Sequence, residues 1–338
     1  MSCWNHYGLK ALRGLFSLTM RILITGGFGF VGGRLAVHLA KAGHQIVLGS
    51  RTAITPPVWL PQAEVAKIVW DDDGALEQSC NGVDVVIQAA GMNAQDCVTD
   101  PVAALAFNGL ATARLVAAAS RAGVQRFIYL STAHVYSCPL VGTITEETCP
   151  RNLHPYATSH LAGEHAVLSA SERGGILGIV LRLSNAFGVP VHKDVNCWML
   201  LVNDLCKQVA QTRKLVLKTS GLQQRNFVGM TDVCGVAERL VVGNGESVYP
   251  GIFNVGAGVS QSVLSMAQLI QQRCVQILGF EPVLQRGQAE VYEQSPMLTY
   301  RTDNLAVLGI NFNGQGNTVE IDSLLRFCQL TFTQNAEP

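Results

Sequence analysis

An apolar run, Ile22-Leu23-Ile24, breaks into Thr25-Gly26-Gly27-Phe28-Gly29-Phe30-Val31-Gly32 and passes directly into a helical pattern. Gly26, Gly29 and Gly32 recur at intervals of three. That spacing suits a strand, a tight turn and a helix that together hold the phosphates of a dinucleotide. One glycine turns the chain, one lets backbone approach a pyrophosphate, and one lets the helix pack closely on the sheet. The helix N-terminus then offers unpaired N–H groups and a partial positive charge to the phosphates. A buried strand followed by an ordinary turn gives the same letters, so the rest of the chain has to decide between the two.

From residue 21 onward, apolar runs alternate with helical patterns. Runs at 21–25, 45–49, 66–70, 83–89 and 127–131 read as buried strands, and 32–42, 101–122 and 156–173 read as helices. The strands are continuously apolar, which implies a parallel, doubly wound α/β sheet covered on both faces. After Gly188-Val189-Pro190 the pattern loosens, with turns at Gly243-Asn244-Gly245 and Pro250-Gly251 and a helix at 263–278. The predicted organisation is a leader over 1–19, a Rossmann-type nucleotide-binding domain over 20–188 and a smaller α/β substrate lobe over 189–338. Segments near 225–257 are expected to return to the main sheet, as is the run at 176–183.

With 338 residues, 48% of them hydrophobic and 14% charged, the chain can bury a large core. Lys plus Arg equals Asp plus Glu at 24 each, so no net basic field is available for nucleic acid or a membrane surface. The ten cysteines show neither CxxC spacing nor histidines at zinc intervals. Reduced thiols in a cytoplasmic protein, with no metal, are expected. The leader carries Lys10 and Arg13 and only a short apolar stretch, open to an anchoring role or to disorder. No other stretch reads as long and apolar enough to cross a bilayer.

The end of the second strand bears on the cofactor. An acid there would suit the ribose hydroxyls of NAD, whereas Gly49-Ser50-Arg51 carries none. Arg51 can grip a phosphate with two donors and Ser50 adds a third, which favours NADP over NAD; a solvated surface arginine is the other reading. Asp71, at the end of the predicted third strand, either accepts from the adenine amino group or belongs to a charged loop, Asp71-Asp72-Asp73. Ser131-Thr132 closes another strand and Tyr156 opens a helix. A strand-end hydroxyl and a phenol can converge on a substrate oxygen beside a nicotinamide, the phenol passing the proton. A tyrosine that merely packs its ring is the alternative.

Together these pieces resemble the extended short-chain dehydrogenase/reductase family, especially its NAD(P)-dependent nucleotide-sugar epimerases, dehydratases and ketoreductases. The resemblance covers about Met20 to Leu308. It is carried by the glycine motif, Val85-Val86-Ile87-Gln88-Ala89-Ala90, Asn108-Gly109 and Leu130-Ser131-Thr132-Ala133-His134-Val135-Tyr136. It continues through Pro155-Tyr156-Ala157-Thr158-Ser159, Arg182-Leu183-Ser184-Asn185-Ala186-Phe187-Gly188, Arg225-Asn226-Phe227-Val228 and Phe253-Asn254-Val255-Gly256. The resemblance implies that Thr132 polarises the substrate oxygen, Tyr156 is the acid/base and Asn108 supports the site. It places the cofactor along Gly26, Gly29, Phe30, Val31, Gly32, Ser50, Arg51, Asp71, Ala89 and Ala90, with Tyr156 and His160. Asn185 would touch a nucleoside-diphosphate sugar and Arg225 its diphosphate, unless Arg225 forms an ion pair between the lobes.

One departure stands out. Four residues after the tyrosine the family places a lysine that holds the nicotinamide ribose and lowers the phenol pKa; here that position is His160. A neutral imidazole can bond a ribose hydroxyl but gives little electrostatic help to a phenolate. A working enzyme, a slow one, and a catalytically silent NADP-binding sensor or scaffold all follow. Family dehydratases put an acidic pair after the threonine, where this chain has Ala133 and His134. That disfavours dehydration and leaves 4-ketoreduction, slightly ahead of 4-epimerisation, on a nucleoside-diphosphate sugar. Family members pair the helices at 101–122 and 156–173 between subunits, and their Ala- and Leu-rich faces are compatible with a homodimer.

Overall fold

The computed structural model describes residues 19–52, 55–243, 248–288, 295–311 and 315–333. The expected leader lies almost entirely outside them. Seven parallel strands form the main sheet: β1 (Arg21–Thr25), β2 (Gln45–Ser50), β3 (Glu64–Lys67), β4 (Val85–Gln88), β5 (Arg126–Thr132), β6 (Leu177–Leu183) and β7 (Gly251–Val255). Their order across the sheet is β7-β6-β5-β4-β1-β2-β3, so the chain reverses direction of travel between β1 and β4. Crevices beyond the carboxyl ends of strands at such a reversal are where α/β sheets bind ligands.

The central strands are apolar at most positions because both faces are covered. Ile22 and Ile24 of β1 point to the layer of helices Phe30–Lys41 and Met230–Val242, alongside Leu35, Leu39, Val236 and Leu240. Leu23 points the other way, into a core shared with Val86, Phe127, Leu115 and Val167, under helices Pro101–Arg121 and Pro155–Glu172. Residues i and i+2 therefore serve one layer and i+1 the other.

The expected elements hold, with local corrections. The third strand is Glu64–Lys67 rather than 66–70. After it Ile68 N bonds Ser50 O at 2.8 Å, while Asp72 accepts from Ala75 N and caps helix Asp73–Ser79. Asp71 thus lies exposed in a turn, beyond the strand. The segment 225–257 divides: Gly251–Val255 joins the main sheet, but Gln224–Gly229 pairs with Asn185–Phe187 and Ser260–Ser262 in a three-stranded sheet of its own. The 21-residue helix Pro101–Arg121 is long and apolar enough to cross a membrane, contrary to expectation, and half of it is buried. Its apolarity serves the core through Ala104, Leu115, Val116, Ala118 and Ala119.

The smaller lobe packs helices Leu201–Thr212, Val263–Leu278 and Gln315–Phe332 around Phe187, Phe227, Leu205, Ile270 and Leu324. Glu320 links the lobes. Its carboxylate takes hydrogen bonds from Arg34, from Val189 N at 2.9 Å and from both the backbone N–H and the hydroxyl of Thr231.

Candidate active site

Two cavities open at the carboxyl ends of the strands. The first, about 330 Å³, runs over Gly26, Phe28 and Gly29, past Ser50, Arg51 and Thr52, to Ala89, Ala90 and Gly91. Gly26 sits at φ +70°, and a Cβ there would lie 2.6 Å from Ala90 N; a Cβ on Gly32 would meet Gly26 O at 2.3 Å. Only glycine permits this crossing of loop, helix and strand end. The helix Phe30–Lys41 begins at Gly29 with no side-chain cap and no acid in its first turn. Its N–H groups and dipole are left for an anion, so the cradle fits the pyrophosphate of a dinucleotide.

Along the far wall, Trp70 and Phe107 meet edge to face at 5.2 Å, and the Arg51 guanidinium lies 6.0 Å from the Phe107 ring. Arg51 is exposed and forms no ion pair among the described residues. Trp70 Nε1 is buried with no hydrogen-bond partner among the described residues. Asp71 does not line this cavity, whereas Ile68 and Trp70 do. Sequence reasoning passed over Trp70 and Phe107; the apolar run ending in Val69-Trp70 was their visible trace.

The second cavity, about 380 Å³, is lined by Phe30, Val31, Ser131, Thr132, Tyr156, Asn185 and Arg225, among others. It joins the end of β5 to the first turn of helix Pro155–Glu172. That helix starts at Pro155, with His154 Nδ1 accepting from Tyr156 N at 3.2 Å, which places Tyr156 at the cavity wall. Thr132 accepts from His134 N at 3.1 Å, fixing its hydroxyl beside the phenol. Burial raises the Tyr156 pKa above the ordinary phenol value, while the hydrogen bond with Thr132 pulls it down. His160 stands one turn on, its ring 4.6 Å from that of Tyr156. Burial holds its pKa down to about 4, so the imidazole is neutral at physiological pH.

Asn108 lies in a π-helical turn, Leu105–Ala111, inside helix Pro101–Arg121. It accepts from Met92 N at 2.9 Å and donates to Ser159 Oγ at 3.0 Å, tying the end of β4 to the tyrosine's helix. Its supporting role is therefore structural, without lining either cavity. Below Ser131, the buried pair of Glu164 and Arg182 anchors the same helix to β6. Tyr129, which sequence reasoning missed, bonds His160 Nδ1 at 3.0 Å.

Toward the smaller lobe, Asn185 donates to Asn226 O at 2.9 Å and Arg225 faces the cavity. Among the described residues Arg225 has no carboxylate partner, so the ion pair between lobes is not formed. Burial lowers its pKa, and burial followed by the nearby Arg225 and His154 lowers that of His134. Among the described residues, none that lines this cavity is acidic. Arg225, His134 and Asn185 also line an adjoining pocket of about 210 Å³. Of the chemical side chains expected at the site, Ser50 and Arg51 line the first cavity and Thr132, Tyr156, Asn185 and Arg225 the second, while Asn108, His160 and Asp71 line neither.

Residues 22–256 match the NAD dependent epimerase/dehydratase family. Among relatives, the chain is 29% identical over 261 residues to a dTDP-6-deoxy-L-talose 4-dehydrogenase (NAD(P)(+)) of Kitasatospora kifunensis, covering 74% of this chain and 78% of that one. It is 29% identical over 271 residues to the dTDP-D-glucose 4,6-dehydratase of Mus musculus, covering 75% and 73%. A UDP-glucose 4-epimerase from Thermotoga maritima, solved with UDP-glucose, shares the fold with a TM-score of 0.75 at 20% identity, over 92% of this chain and 99% of that one. The sequence match extends over more than half of the chain and includes both the glycine cradle and the strand end beside the tyrosine. The protein belongs to the NAD dependent epimerase/dehydratase family and is an NAD(P)-dependent enzyme of the short-chain dehydrogenase/reductase type.

Proposed function

We propose that this chain is an NADP-linked reductase of a 4-keto nucleoside-diphosphate sugar. The observation that carries the reading is the neutral, buried His160 against the Tyr156 ring. With no cation one turn away, the phenol keeps its proton, and a protonated phenol is the acid a ketone reduction needs. A reduced nicotinamide, when bound, supplies the hydride to the carbonyl carbon. Tyr156 gives its proton to the carbonyl oxygen, Thr132 holds that oxygen by a hydrogen bond, and the product is the alcohol. Arg225 and Asn185 grip the nucleoside diphosphate, a role supported by an arginine with no carboxylate partner among the described residues. Arg51 supports NADP, since an exposed guanidinium at the cleft matches a ribose phosphate. The absence of acid in the second cavity supports reduction over dehydration.

A homodimer is part of this reading, supported by Val102, Leu105 and Leu110, which are 80%, 54% and 56% exposed on helix Pro101–Arg121. A reducing, cytoplasmic setting is supported by free thiols at Cys80, Cys206 and Cys274 in the core. A second reading, a silent NADP-binding sensor, rests on the loss of the lysine at position 160. Purified protein mixed with NADPH and a 4-keto nucleotide sugar should oxidise NADPH and yield one alcohol. Interconversion of 4-epimers without net NADPH loss would replace reduction with epimerisation. NADPH binding with no turnover, relieved by His160→Lys, would favour the sensor.

A further inference from the structure

We infer that Tyr129 is a positioning residue of the active site: its hydroxyl occupies Nδ1 of His160, so that Nε2–H of the imidazole is presented to the cofactor cleft as a donor to a ribose hydroxyl. This inference rests on the reading of the cleft as a dinucleotide site. A lysine at this position would need no such arrangement, because an ammonium donates in every direction. An imidazole donates from one nitrogen only when neutral, and the partner of the other nitrogen chooses which.

The distances favour one choice. Tyr129 is fully buried at the middle of β5, with its hydroxyl 3.0 Å from His160 Nδ1 and 3.3 Å from Asn108 O. Asn108 O already accepts from the Thr112 hydroxyl at 2.7 Å, and Thr112 is itself held by Gln88 Nε2 at 2.7 Å. Of the two acceptors, Nδ1 at 3.0 Å is nearer than Asn108 O at 3.3 Å, and we assign the phenolic proton to it. Nδ1 must then be unprotonated, and the ring proton resides on Nε2. Nε2 lies 3.8 Å from where a Cβ of Gly91 would stand, and Gly91 lines the cofactor cleft. Gly163 preserves the contact: a Cβ there would approach Tyr129 Oη and Asn108 O to 2.6 Å each.

Two measurements test this. Nitrogen NMR of the unliganded protein with labelled histidine should show His160 as the Nε2–H tautomer; an Nδ1–H tautomer overturns the inference. NADPH titration, followed by its fluorescence, should then give a coupling between positions 129 and 160. Tyr129→Phe should weaken binding about five-fold in the His160 protein and less than about two-fold in a His160→Lys background. Equal loss in both backgrounds would mark Tyr129 as packing only and overturn the inference. His160→Gln, whose amide nitrogen replaces Nε2, should bind NADPH better than His160→Asn, whose amide replaces Nδ1; the reverse order overturns it as well. Failure of the unsubstituted protein to bind NADPH or NADH overturns the dinucleotide reading and this inference with it. Binding without coupling overturns the role of Tyr129 alone.

Discussion

Helix Pro155–Glu172 buries two titratable side chains one turn apart and treats them in opposite ways. Glu164, 0% exposed, is answered by Arg182, which meets both carboxylate oxygens through Nε at 3.0 Å and Nη2 at 2.6 Å, and by a hydroxyl donor from Ser131. Arg182 in turn lies 4.6 Å over the Tyr136 ring, and Tyr136 bonds Asn254 of β7 at 2.8 Å. His160, 6% exposed, finds one phenol and aromatic edges, and gives up its charge. Burial alone decides nothing; the number of partners that can answer a charge does. On one helix the protein thus keeps an ion-paired anchor under the site and a neutral imidazole against the Tyr156 ring.

The strongest way to break this comparison is to remove one half of the anchor. Glu164→Ala should cost about 3–5 kcal/mol in denaturant unfolding, because it strands a buried guanidinium. Replacing Glu164 and Arg182 together by apolar residues should recover much of that loss. A single-variant cost below about 1 kcal/mol would mean that the pair is not what holds the helix.

The next test is pH. Unfolded histidine takes a proton at 6.5, while folded His160 resists until about 4. Between those values the unfolded chain binds more protons, so acid shifts the balance toward unfolding. Stability due to His160 is complete above pH 6.5 and falls by about 3 kcal/mol as pH drops to 4. The slope of stability against pH in this window should be shallower in His160→Gln than in the unsubstituted protein. Identical slopes would show that His160 takes up its proton in the fold as readily as in the unfolded chain.

A smaller effect sharpens the comparison from the other side. His160→Lys places a cation near Tyr156, and the pH profile for oxidation of the alcohol product should move about 1–2 units toward acid. Ketone reduction at neutral pH should change less, since it uses the protonated phenol. Smaller still is the case of Arg51, a charge that water already satisfies. Arg51→Ala should raise KM for NADPH about five-fold and leave KM for NADH within about two-fold. Equal changes for both cofactors would remove the ribose phosphate from the account.

The fold was legible where a physical requirement leaves letters behind. Strands covered on both faces are apolar at consecutive positions, so β1, β4 and the middle of β5 stand out as runs. The cradle was legible because Gly26 and Gly32 approach other backbone too closely for any side chain. The third strand shifted because Ile68 and Trp70 are apolar for the cleft they line, not for sheet pairing. Strands as short as Asn185–Phe187 leave no period to read. At the site, Thr132 and Tyr156 drew notice as a strand-end hydroxyl and a phenol opening a helix, and His160 through the family resemblance. The bond between Tyr129 and His160 spans 31 positions and leaves no such mark. Alternation along β5 does carry half of it, since Phe127 and Tyr129 share the face beneath helix Pro155–Glu172.

Strand β7 has a bearing on how the molecule is made. It closes the sheet beside β6 only after the chain has travelled through the smaller lobe. A nascent chain whose first 240 residues have left the ribosome still displays the unpaired edge of Leu177–Leu183, and Arg182 there still lacks Asn254 behind its tyrosine. The nucleotide half cannot mature ahead of its neighbour, as sequential domains do. Fragments cut near residue 190 should therefore stick to one another along that bare edge.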